Sequence, residues 1–278
     1  MPLDEKLNTL IHRLEDLGSV VVAYSGGVDS TLLLKVAHYT LGERAVALTA
    51  VSASLPADEL EEAQQMAREI GARHVLIDSH ETEDPRYLSN SPQRCYFCKS
   101  DVFQRLIDYA KENGFSWVVD GTNSDDAHDH RPGRQAAREL GVLSPLQEAN
   151  LTKSELRTLA RRFGLPNWDK PAAACLSSRI PYGQLITLER LSQVEQAERV
   201  LHRLGFRQVR VRHHDMVARI EILPDEFSAL FKQRDRILKE LNNLGFPYVT
   251  LDLAGFRSGS MNEALAIHGQ RKNTPDPA

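Results

Sequence analysis

Apolar and polar positions along the first two-thirds of the chain alternate between two periods. Short apolar runs at Ser19–Tyr24, Ala45–Val51, His74–Asp78 and Trp117–Asp120 read as strands. Between and after them, 3.6-residue patterns predict helices over Asp29–Thr40, Pro56–Ile70, Lys99–Glu112 and Lys153–Phe163. Pro56 and Asp58 suit a first helical turn, and Gly71 and Gly114 stand where helices end. Alternating strands and helices imply an α/β fold, a parallel sheet flanked by helices, with ligands gathered at the carboxyl ends of the strands. Ser25, Ser52 and Gly121 all fall at such ends.

After Pro181-Tyr182-Gly183 the pattern changes. A polar helix is expected over Leu188–Leu204, strands over Gln208–His213 and Ala218–Leu223, a helix over Asp225–Leu244 and a strand over Tyr248–Leu253. This α-β-β-α-β order predicts a small C-terminal α/β domain. The expected organisation is therefore a parallel α/β domain over 1–180, a small α/β domain over 181–265, and a disordered polar tail over 266–278.

Composition narrows the class. With 41% hydrophobic residues in 278, the chain can bury a core, and no apolar run approaches membrane length. The opening segment Met1–Leu17 reads as an acidic amphipathic helix rather than a signal peptide, so a cytoplasmic location is expected. A net charge of −4 gives no support to nucleic-acid binding. Three cysteines, Cys95, Cys98 and Cys175, argue against a disulfide framework and toward metal or catalytic chemistry.

Ser25-Gly26-Gly27-Val28-Asp29-Ser30 lies between a strand and a helix start. Adjacent glycines let the backbone approach a ligand closely, and a helix N-terminus offers unpaired N–H groups and positive potential. Such a place suits phosphate or pyrophosphate, with Ser25 and Ser30 as hydroxyl donors and Asp29 holding magnesium on the phosphates. An ordinary capped turn is the plainer alternative. Neither GxxxxGK[ST] nor GxGxxG occurs. Cys95-Tyr96-Phe97-Cys98 is compatible with a redox pair, part of a zinc or iron–sulfur site, or two packed thiols at a helix start. Cys175 lies among small residues with Arg179 near, a setting that suits a nucleophilic thiolate as well as a buried inert cysteine. His128 and His130 have no matching ligand set and read as a solvated loop. Arg210 and Arg212 share one strand face, opposite Glu221 on the next strand. They suit bidentate phosphate binding or a solvated charged face.

The loop Ser25–Ser30 resembles the SGGxDS loop of the PP-loop ATP pyrophosphatase superfamily, of adenine nucleotide alpha-hydrolase-like fold. Together with Arg94–Lys99, Asp120–Asp126, Arg131-Pro132-Gly133, Ser144-Pro145-Leu146, Ala174–Gly183, Arg210–Glu221 and Gly255–Ser260, it resembles the LarE family over nearly the whole chain. That resemblance implies an ATP-dependent sulfurtransferase acting on a pyridinium biscarboxylic acid mononucleotide, a step toward the nickel-pincer nucleotide cofactor. It implies adenylation of a substrate carboxylate with release of pyrophosphate, then sulfur transfer with release of AMP. Ser25, Gly26, Gly27, Asp29, Ser30, Ser52, Asp120 and Thr122 would bind ATP, with Mg2+ on Asp29. Lys153, in an LxKxE segment, would neutralise phosphate charge, or be a solvated first-turn lysine.

By the same resemblance, Cys95, Cys98 and Cys175 would hold a [4Fe-4S] cluster with one iron free of protein ligands to carry an extra sulfide. The alternative is a sacrificial Cys175 that ends as dehydroalanine. Arg210, Arg212 and Ser178 would meet the substrate phosphate, and Glu221 or Glu198 a divalent ion. The partners implied are inorganic sulfide or another sulfur donor, other enzymes of nickel-pincer cofactor biosynthesis, and further copies of the chain as a homo-oligomer. Neither nucleic acid nor membrane is expected. Other readings are a tRNA thiolase, an amide synthetase such as GMP or NAD synthetase, or a nucleotide-sensing regulator.

Overall fold

A computed structural model describes residues 1–128, 132–171 and 174–257. The chain forms two compact units, Met1–Ala174 and Cys175–Ala278.

In the first unit, helix α1 (Leu3–Leu17) leads into strand β1 (Val20–Ala23) and helix α2 (Val28–Leu41). Strand β2 (Ala45–Val51), helix α3 (Ala57–Ile70) and strand β3 (Arg73–Asp78) follow. A short helix α4 (Pro85–Leu88) and a long helix α5 (Arg94–Glu112) carry the chain to strand β4 (Trp117–Val119). Helices α6 (Pro132–Glu139), α7 (Pro145–Glu148) and α8 (Lys153–Arg162) complete the unit. The four strands are all parallel, in the order β3-β2-β1-β4. A parallel sheet of this kind is buried on both faces, which explains why β1 reads Val20-Val21-Val22 without a polar alternation. Val20 and Val22 face a core built with α1, α2, α3 and α8, whereas Val21 joins Phe103, Leu106 and Ala137 from α5 and α6. Helix α2 lies so deep that Leu32, Leu33 and Leu34 are all fully buried, so its apolar residues form no single stripe.

Strand positions agree with the sequence pattern to within one or two residues, but α5 starts at Arg94 rather than Lys99. Its fully buried apolar residues begin only at Phe103, and the buried residue of its first turn is Arg94, so the first two turns carry no apolar period to reveal them. The Cys95–Cys98 pair is therefore helical, not part of a preceding loop.

The second unit opens with a 3-10 turn over Leu176–Arg179, then helix α9 (Leu188–Arg203). Strands β5 (Arg210–His214) and β6 (Val217–Glu221) form an antiparallel hairpin. Helices α10 (Phe227–Lys232) and α11 (Arg234–Asn243) precede strand β7 (Tyr248–Leu251), which pairs parallel to β6. One long helix was expected over Asp225–Leu244. The chain instead breaks at Gln233, whose backbone leaves the helical region while its side chain donates to the Leu204 carbonyl. Val211, Ile220, Phe246, Ile237 and Leu241 make the core of this unit. The tail over 266–278, and Ser258-Gly259-Ser260, lie outside the described residues.

Candidate active site

The glycine loop of the first unit follows β1 and ends at the N-terminus of α2. Gly26 has φ +70°, and a Cβ there would stand 2.7 Å from the Ala63 Cβ, so both conformation and space require glycine. Gly27 is the N-cap of α2 in extended conformation and offers no side-chain cap, which leaves the first-turn N–H groups without a side-chain acceptor from that position. Ser25 and Ser30 lie 3.2 Å apart through their hydroxyls, and the Ser30 hydroxyl donates to the Gly27 carbonyl at 3.2 Å. Asn167 supports the loop from outside: its amide donates to the Gly26 carbonyl and to the Thr31 hydroxyl, both at 3.0 Å.

Two later segments close on this loop. Gly121, just beyond β4, comes so near α2 that a Cβ there would sit 2.9 Å from the Ser30 backbone nitrogen. That approach lets Asn123 donate to Asp29 at 3.1 Å. Lys153 reaches the other Asp29 oxygen at 2.6 Å. Lys153 is the first residue of α8, and its place is set by a capping box in which Thr152 and Glu155 satisfy each other's backbone N–H groups. Glu155 is in turn held by Lys6 of α1 at 2.8 Å. Burial works against the Glu155 charge, but the hydrogen bonds from Lys6 and Thr152 outweigh it and hold its pKa below the usual value. The aspartate of the glycine loop thus meets a lysine from 124 residues further along the chain.

Asp120 is buried and accepts from the Thr122 backbone and hydroxyl and from the Ser144 hydroxyl, at 3.1, 2.8 and 2.8 Å. It shapes the turn after β4 through these bonds. A magnesium ion that takes its other ligands from phosphate oxygens and water would need one carboxylate here, and on Asp29 it would have to displace the Lys153 ammonium.

The cysteines divide between the units. Cys95 and Cys98 lie one helical turn apart on α5, both half-buried, so two thiolates from one face could reach a common iron–sulfur core. Cys175 is half-buried at the start of the second unit, where its carbonyl accepts from the Arg179 guanidinium at 2.9 Å. Among the described residues, no three Cys, His, Asp or Glu side chains lie together as a metal-holding set. The Cys98 thiol donates to Glu81, a buried carboxylate that sequence reading had not singled out and for which no motif gave a signal.

In the second unit, Arg212 makes a bidentate pair with Glu221 at 3.0 and 2.8 Å, and Arg179 makes another with Glu198, both bonds at 2.9 Å. All four side chains are buried. Arg212 also donates to the Ser178 carbonyl at 2.8 Å, and Glu198 accepts from the Val211 backbone at 2.9 Å. The cation beside each glutamate is thus an arginine, and any divalent ion there would compete with it. Arg210 differs. It forms no ion pair among the described residues, stacks over the Phe256 ring at 5.2 Å, and donates only to the Val209 carbonyl. Burial pulls its pKa down to about 10, with Arg179 and Arg212 adding to that effect and Glu198 opposing it. His130 and Arg131 lie outside the described residues, and His128 is described only as the end of a 3-10 turn.

The parallel sheet with its glycine loop defines a HUP-type nucleotide-binding domain of the PP-loop class. Residues 19–166 match the family described as the Arginosuccinate synthase N-terminal HUP domain. An argininosuccinate synthase of Pyrococcus furiosus is 25% identical, over 54% of this chain and 40% of its own length. The likeness to two other proteins runs almost end to end. An uncharacterised protein of Synechocystis sp. is 48% identical over 95% of this chain and 99% of its own. The pyridinium-3,5-bisthiocarboxylic acid mononucleotide synthase of Lactiplantibacillus plantarum is 42% identical over 95% and 96%. The chain belongs to the LarE family of the PP-loop ATP pyrophosphatase superfamily and is an enzyme of that superfamily.

Proposed function

We propose that this protein uses ATP to transfer sulfur to a pyridinium biscarboxylic acid mononucleotide, as a step in building the nickel-pincer nucleotide cofactor. The observation that carries the reading is the convergence of Asp29, Lys153 and Asn123 on the glycine loop at the start of α2. A carboxylate is a poor electrophile because oxide would have to leave. Attack of a substrate carboxylate oxygen on the α-phosphate of ATP forms an acyl-adenylate and breaks the bond to pyrophosphate. The N–H groups at the start of α2, with Ser25 and Ser30, would hold the departing pyrophosphate. Asp29 would carry magnesium, and Lys153, released from Asp29, would neutralise developing charge. Ser52, Asp120 and Thr122 would line the nucleotide pocket. A sulfur nucleophile then attacks the carbonyl carbon and AMP leaves.

Cys95, Cys98 and Cys175 would hold a [4Fe-4S] cluster. When bound, it would supply a sulfide on the iron that lacks a protein ligand. Arg210 is the residue best suited to the substrate phosphate, because its charge has no carboxylate partner among the described residues, whereas Arg212 is committed to Glu221 and to the Ser178 carbonyl. The first unit would then carry adenylation and the second substrate binding or oligomerisation. Among the described residues no helix is long and apolar enough to cross a membrane. A cytoplasmic homo-oligomer working with a sulfur donor and with other enzymes of the same cofactor's biosynthesis completes the proposal.

The test is a turnover count. Anaerobically reconstituted protein is incubated with ATP, magnesium, sulfide and the carboxylated mononucleotide, and thiocarboxylate is counted per polypeptide. Many products per chain, with Cys175 intact by mass spectrometry, are expected. At most one, with Cys175 converted to dehydroalanine, would make Cys175 the sulfur source and overturn the cluster assignment. No thiolated product would overturn the activity itself.

A further inference from the structure

Glu81 follows β3 and is 3% exposed, yet no lysine or arginine pairs with it among the described residues. Its partners are four neutral donors. One oxygen, Oε1, accepts from Ser52 at 2.8 Å and from Ser54. The other, Oε2, accepts from Ser79 at 3.3 Å and from the Cys98 thiol at 2.8 Å. Burying a carboxylate without a cation is costly unless hydrogen bonds replace water. Apolar side chains would join these elements at less cost. What a carboxylate alone provides is two acceptor oxygens pointing in two directions. Here one faces the carboxyl end of β2, where a parallel sheet binds its ligand, and the other faces a thiol on α5.

We propose that Glu81 is a positioning residue for Cys98, holding its thiol through one carboxylate oxygen while the other oxygen ties that thiol to Ser52 and Ser54 at the nucleotide end of the sheet. The proposal deepens the reading of Cys98 as part of the sulfur-transfer site, rests on it, and describes the cluster-free protein, because an iron-bound thiolate has no S–H to donate. It gives the CxxC helix a direct connection to the nucleotide pocket within the first unit. A nucleotide that engages Ser52 acts on the carboxylate that holds Cys98.

Cys95, one turn away on the same helix, supplies an internal reference. Reduced, cluster-free full-length protein is treated anaerobically with limiting iodoacetamide at fixed pH, and the Cys98-to-Cys95 labelling ratio is read by mass spectrometry. E81Q keeps the shape but has one acceptor oxygen where glutamate has two, so it cannot accept on both sides, and an amide facing the thiol meets only a weak sulfur acceptor. The ratio is expected to rise about threefold or more in E81Q, with an unchanged melting temperature, as the sulfur loses its restraint. ATP with magnesium is expected to shift the ratio about twofold in the wild type and not in E81Q. The S52A/S54A double variant, which leaves Glu81 in place, is expected to abolish the ATP-dependent shift. A folded E81Q with the wild-type ratio would reduce Glu81 to packing and overturn the proposal. A wild-type ratio indifferent to ATP would overturn the connection to the nucleotide. Failure of the parent reading is separately visible: C98S would then form thiocarboxylate at the wild-type rate, whatever the labelling ratio does.

Discussion

Single side chains at the glycine loop have sharply different tolerances. Gly121 cannot accept even a methyl group, because the nearest atoms are the backbone of Ser30 and Asp29 rather than a movable side chain. G121A is expected to cost about 1–3 kcal/mol in stability through overpacking. It should also weaken ATP binding by pushing Asn123 away from Asp29, a loss measurable by calorimetry. Lys153 sits at the rim with its ammonium on Asp29, so its removal should leave the fold nearly untouched. K153A is expected to lower the rate of pyrophosphate release by about a hundredfold, the usual magnitude for a lost electrostatic contact in a transition state. A rate within threefold of wild type would return Lys153 to the role of a solvated first-turn residue.

Within elements, β5 shows how one strand serves two surfaces. Val211 and His213 face the apolar core, with the His213 ring edge-on to Phe246 at 5.2 Å, while Arg210 and Arg212 alternate with them. Arg212 and Glu221 are opposed charges with almost no access to water. Removing Arg212 takes away the bidentate partner of a fully buried Glu221 and leaves it the more exposed Arg219 at 3.1 Å. R212M alone is expected to destabilise the unit by about 3–5 kcal/mol, and the R212M/E221L double variant to recover most of that loss. Urea midpoints of the three proteins would show it.

The same strand sets a pH dependence. Burial lowers the pKa of both His213 and His214, helped by Arg190 in the first case and by Arg219 and Arg212 in the second. The folded state therefore resists protonation, whereas the unfolded chain takes up protons near pH 6.5. This contribution to stability is complete above about 6.5 and is lost as pH falls from there toward the lowered folded values. Urea midpoints should decline between pH 7.5 and 5.5, with a shallower slope in H213Q/H214Q. An equal slope in both proteins would assign the decline to other groups.

Over the whole molecule, what could be read from the chain depended on the range of the interaction. The β1–loop–α2 segment was legible because its determinants are neighbours: an apolar run, two glycines and a helix start within a dozen residues. The sheet's parallel character followed from the alternation of periods. The start of α5 was not legible, since the buried residue of its first turn is an arginine and not an apolar side chain. Nor was the break at Gln233, which answers to a carbonyl on another helix. The arginines of β5 were visible as a face, but their alternation is the same for an anion site as for buried ion pairs. Burial separates the two, and burial belongs to the packed unit. Arg212 is thus a paired structural charge, whereas Arg210 forms no ion pair among the described residues, although they lie two residues apart.

By itself, then, the amino-acid order determined the local geometry of a phosphate-binding loop, the class of sheet beneath it, and which residue types were available for chemistry. Only the tertiary structure decided which of them meet. Lys153 reaches Asp29 because a capping box and Lys6 fix the start of α8, and Cys98 reaches Glu81 because the start of α5 lies beside the segment that follows β3. Such pairings are made by close packing of elements distant along the chain, and no periodicity within an element encodes its neighbour.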